Sequence, residues 1–172
     1  AINYPFFVDV RSDRMASDSA IVSNLPAVTL NWASPITVDQ EKNAGRQVTT
    51  LLQSSPVSWV QTDTTTIQPN FDLYPDLGFP VGAEQKSYPL AVSVQGVFES
   101  YFKGKPSPLT ESEEEETETS QEPTPTPTPV SSPGTIEVSP ETARLIVIGS
   151  TEFVDDIVFE ISSRLTMDRY LN

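Results

Sequence analysis

The chain of 172 residues carries 24 acidic side chains against 10 basic ones, a net charge of −14. Phosphate recognition needs clustered Lys and Arg. The basic residues here are scattered, which argues against nucleic acid and against electrostatic attachment to an anionic membrane surface. Histidine and cysteine are both absent, which removes the commonest general base and metal ligand, along with disulfides, thiolate nucleophiles and thiolate metal sites.

Residues 4–10 (YPFFVDV) are aromatic and β-branched and predict a strand, with Pro5 near its start or on an edge. A polar loop over 11–18 follows, then a short helical turn over 19–25 closed by Pro26. In 27–32 (AVTLNW), Val28, Leu30 and Trp32 alternate, the signature of a half-buried strand with Trp32 in the core. Residues 35–38 continue as an extended piece. A β-branched run over 46–52 stops at Ser54-Ser55-Pro56, and 58–62 continue beyond the bend. Trp59 fits a core position and a recognition platform equally well. Residues 63–83 hold Pro69, Pro75, Pro80, Gly78 and Gly82, which predicts an irregular surface segment anchored by Phe71, Tyr74 and Phe79.

Residues 88–102 (YPLAVSVQGVFESYF) are the longest β-type run. Leu90, Val92 and Val94 share one face, and Gly96 marks a bulge or a close backbone approach. Residues 110–134 hold seven Glu, five Pro, no Lys or Arg and a single apolar residue, Val130, and carry half of the net negative charge. Like-charge repulsion and the alternating Pro and Thr of 123–129 predict a disordered Glu/Pro-rich insert. The following residues are too few to fold alone, so 1–172 is expected to be one domain with 110–134 inserted. Residues 143–149 (ARLIVIG) form a nearly continuous apolar run, as in a strand buried on both faces. Ile157, Ile161 and Leu165 then recur at helical spacing. Strand, small-residue turn and helix together predict an α/β fold: a mixed, partly parallel sheet of about five strands with few flanking helices.

Gly149, Ser150, Thr151 and Glu152 sit at the C-terminal end of the 143–149 strand, where α/β folds hold ligands. Backbone N–H groups there suit a small polar ligand or glycan. A helix cap by Ser150 or Thr151 explains the same residues without a ligand. Glu152, Asp155 and Asp156 lack the alternating spacing of a calcium loop, so no metal is expected. A serine nucleophile would need a base, and the lysines stand in polar, loop-like settings. No carboxylate pair is singled out for glycoside hydrolysis. The chain therefore reads as a binding or assembly protein without cofactor, not as an enzyme.

Residues 20–36 (AIVSNLPAVTLNWASPI), 48–59 (VTTLLQSSPVSW), 88–109 (YPLAVSVQGVFESYFKGKPSPL), 143–157 (ARLIVIGSTEFVDDI) and 162–172 (SSRLTMDRYLN) resemble, in their order, the extracytoplasmic domain of GldG-type proteins. These are auxiliary components of ABC-2-type transport systems linked to gliding motility. The resemblance implies a flavodoxin-like or amidotransferase-like domain of which this chain is the C-terminal part. It further implies a membrane anchor outside these residues, a place at the periplasmic face of the bacterial inner membrane, and partners in the permease/ATPase complex or among other envelope proteins. Amidotransferase chemistry needs Cys and His, so no activity carries over.

Overall fold

The computed structural model describes residues 4–63, 65–105 and 136–155. The predicted insert 110–134 and the helical pattern of Ile157, Ile161 and Leu165 lie outside the described residues. Among the described residues five strands follow in chain order: β1 (Phe7–Arg11), β2 (Ala27–Asn31), β3 (Gln47–Gln53), β4 (Pro89–Gln95) and β5 (Arg144–Ile148). Single 310 turns occupy Ser12–Arg14 and Glu152–Val154. The chain forms two compact units, one of Ala1–Val94 with Arg144–Asn172 and the other of Gln95–Ala143.

In the first unit, β1 and β2 pair antiparallel, with Val8 opposite Leu30 and Val10 opposite Val28. Period-two alternation sends Val8, Val10, Val28 and Leu30 to one face and leaves Phe7, Asp9, Arg11 and Thr29 exposed. The second sheet runs in the order β3-β4-β5. Buried Ser54 ties the start of β4 to the end of β3: its N–H donates to the Tyr88 carbonyl at 3.0 Å, and its hydroxyl accepts from the Tyr88 N–H at 2.9 Å. Met15, in an isolated bridge with Leu52, joins the edge of this sheet to the polypeptide leaving β1. The core gathers Val10, Leu30, Leu51, Leu52, Leu90 and Ala91, together with Met15 and Val22.

This architecture corrects the predicted α/β fold. Among the described residues there is no α-helix and no parallel pair; both sheets are antiparallel. The reason lies in the connections. Gly149 N–H donates to the Leu90 carbonyl at 2.8 Å, and Gly96 N–H donates to the Ala143 carbonyl at 3.1 Å. The chain leaving β4 thus returns at the same end, and no crossover carries it back to the start as a parallel pair requires.

Burial is also distributed differently from the prediction. The strand buried on both faces is β4, where Leu90 to Val94 are all buried, as its central place demands. β5 stands at the edge, with Leu145, Ile146 and Val147 exposed by 49, 44 and 39%. The long run 88–102 stops at Gln95 because Gly96 takes φ 146°, which L side chains rarely adopt. The turn over 19–25 forms as expected, with Ser19 carbonyl accepting from both Val22 and Ser23 N–H.

The second unit is small. Phe98 N–H donates to the Ser139 hydroxyl at 2.9 Å, Ser139 N–H to the Phe98 carbonyl at 2.9 Å and Ser100 N–H to the Glu137 carbonyl at 2.7 Å. Glu99 and Val138 form an isolated antiparallel bridge there. Tyr101 is 78% exposed, with the Lys105 ammonium 3.6 Å from its ring centre.

Candidate functional site

Gly149 and Ser150 work as a seam. After β2 the chain runs as a strap across the ends of β4 and β5. Along it, Ser34 N–H donates to the Gly149 carbonyl at 2.6 Å and Ile36 N–H to the Pro89 carbonyl at 2.8 Å. A Cβ on Gly149 would lie 2.0 Å from the Ser34 carbonyl oxygen, so this glycine answers a close approach of two backbones. The Ser150 hydroxyl donates to the Asn31 carbonyl at 2.6 Å. Thr151 is exposed and makes no capping bond, and half-buried Glu152 opens the 310 turn. None of the four lines the large cleft of this unit.

That cleft, of about 660 Å³, lies between the β1 approach, the strap and the segments around Ser54–Gln61 and Leu77–Pro80. Its aromatic wall is an edge-and-face cluster. Phe6 stacks on Trp32 with centroids 5.1 Å apart, and Tyr4 and Phe6 meet the buried Phe79 edge-on at 5.7 and 5.4 Å. The Tyr4 hydroxyl donates to the Ile67 carbonyl at 2.8 Å, which fixes that ring. Trp32 departs from the predicted core position and is 38% exposed. At φ 52° it is the one non-glycine residue with positive φ among the described residues, so the alternation of Val28 and Leu30 ends before it.

Two glycines shape segments that contribute to the cleft. Gly78, at φ 79°, sits where a Cβ would be 2.6 Å from Pro69 Cβ, and it closes residues 69–80 on themselves through Asn70 N–H to Gly78 carbonyl at 2.7 Å. Trp59 packs on Gly82, where an added Cβ would come within 2.7 Å of the Trp59 side chain. Of the three predicted anchors of this segment, Phe79 is buried, Tyr74 is half-buried and Phe71 is 46% exposed.

The polar lining is neutral except for Asp9, whose carboxylate pairs with Arg11. Ser55 and Ser58 hydroxyls lie 3.2 Å apart at the rim. Among the described residues, shifted titrations occur only on exposed groups with local causes. Thr65 and Thr66 hydroxyls, with the Thr65 N–H, hold Asp63 below the usual carboxylate range. Glu84 is lowered, and Lys86 raised, by their mutual hydrogen bond and charge. Hydrogen bonding to Glu99 at 2.7 Å raises Lys103. Among the described residues no group of His, Cys, Asp and Glu is placed to hold a metal, and no buried side-chain polar atom lacks a partner. Such an arrangement is suited to holding a molecule.

The family model described as "ABC-type uncharacterized transport system" matches residues 1–172. The chain belongs to this family of ABC transport auxiliary proteins. Like the rest of its family by that description, the auxiliary protein is a component of an ABC-type transport system. No curated protein and no solved structure matches it.

Sequence reasoning missed the cleft of this auxiliary protein. Tyr4, Phe6 and Phe7 read as strand residues, and nothing in their order shows that they line one cleft with Trp59 and Tyr88. The signal that was available is density: three aromatics within Tyr4–Phe7, more than one small strand can bury.

Proposed function

We propose that this ABC transport auxiliary protein is a non-enzymatic accessory of a GldG-type export or gliding-motility system. It stands anchored at the periplasmic face of the bacterial inner membrane and works by contact with the permease/ATPase complex or other envelope proteins. The observation that carries this reading is the edge strand β5. Leu145, Ile146 and Val147 expose apolar side chains in succession, hence on both faces of the sheet, in the strand that ends the β3-β4-β5 order. Exposed apolar edge strands are surfaces for pairing with another chain. The absence of histidine and cysteine and of any buried titratable cluster among the described residues supports contact over chemistry. A small ligand at Gly149–Glu152 has no specific observation behind it, since Gly149 and Ser150 are engaged with the strap.

The test is an affinity-tagged protein in its native membrane, isolated with and without Ile146→Asp. The proposal expects permease or another envelope protein to co-isolate with the parent and to be depleted with the variant, at unchanged protein level. Equal recovery with both proteins counts against β5 as the contact.

A further inference from the structure

We infer that the aromatic cleft of the first unit is a binding site for a neutral saccharide, a function independent of the β5 contact. The cleft has the volume of a small-molecule site: about 660 Å³, within the roughly 300–1,000 Å³ of ligand pockets. Its chemistry selects the ligand class. Along its lining no Lys or Arg is present, and the one carboxylate, Asp9, is paired with Arg11. An anion or an ammonium would lose water without gaining a counter-charge.

A purely apolar ligand fits no better. Ser34, Ser55, Ser58 and Gln61 line the cleft beside the rings, and a lipid tail would strip their hydroxyl and amide groups of water without replacing it. A sugar ring satisfies both kinds of wall: its C–H faces lie on aromatic rings and its hydroxyls pair with serine and amide groups. The rings are held ready for this. Trp59 is backed by Gly82, Tyr4 is tethered to the Ile67 carbonyl, and Phe6 is stacked on Trp32.

The experiment screens the whole chain, with the native insert, on an array of neutral, uronate-bearing and sulfated oligosaccharides. Hits are followed by titration calorimetry, with a Pro-Thr repeat peptide and a medium-chain alcohol as further probes. The inference expects saturable binding of neutral oligosaccharides. Trp59→Ala should weaken that binding by about tenfold or more, Trp59→Phe should retain most of it, and Tyr101→Ala in the second unit should leave it unchanged. Circular dichroism of each variant confirms that it is folded. The inference is overturned if no neutral oligosaccharide binds, if binding is indifferent to Trp59→Ala, or if only the charged sugars, the peptide or the alcohol occupy the cleft.

Discussion

Gly149→Ala is the substitution that most directly probes how the strap, β4 and β5 are joined. The new methyl would stand 2.0 Å from the Ser34 carbonyl oxygen and 3.4 Å from the Leu90 carbonyl oxygen. Neither neighbour is the free end of a flexible side chain, so a backbone must move. Overpacking of this kind costs about 1–3 kcal/mol. Separation of the two chains also weakens the 2.6 Å bond from Ser34 N–H to the Gly149 carbonyl, worth about 1 kcal/mol. The expected loss is therefore about 2–4 kcal/mol. Urea denaturation followed by tryptophan fluorescence reads it as a lower midpoint with an unchanged slope. A midpoint within experimental error of the parent would refute the reasoning, because it would show that the strap does not cross β5 at Gly149. Ser150→Ala supplies the milder companion: loss of the 2.6 Å bond to the Asn31 carbonyl should cost about 1 kcal/mol.

Three further outcomes are expected. Leu30→Ala, at a position with 0% exposure, should cost about 2–5 kcal/mol by lost burial and a cavity, measured by the same denaturation. Ser54→Ala leaves the Tyr88 N–H without its acceptor and should cost about 1–3 kcal/mol, whereas the exposed Ser55→Ala should stay near the parent. Asp63 should titrate below the usual carboxylate range by carbon-detected NMR, and Thr65→Val, which removes the largest cause, should move it upward. Because its folded value is depressed, any stability it lends is present above the unfolded pKa and fades as pH falls through the folded one. Its exposure keeps that contribution small.

The strands were legible because their pattern is local. Val8 and Val10, and Val28 and Leu30, alternate in sequence as they do in space. Direction and burial were not legible, because both depend on where a connection returns. An apolar run such as Leu145 to Ile148 reads as buried on both faces, yet the edge position exposes it while β4 takes the centre. Trp32 shows how a period fails at one dihedral: two residues beyond Leu30 the parity is right, but φ 52° turns the chain out of the strand. Gly149 was visible as a turn glycine, whereas its necessity comes from Ser34, a contact distant in sequence. The cleft draws on separate segments, from Tyr4 to Leu90, each unremarkable alone. Only the absence of histidine and cysteine was fully readable, since it is a matter of composition.

The proposed function is action by contact within a transport system. Its most direct measurement is chemical cross-linking in intact cells, followed by mass spectrometry of peptides joined to this protein. It predicts cross-links from the described residues to a permease or another envelope protein. Cross-links confined to the protein itself, alongside turnover of a substrate by the purified chain, would contradict it.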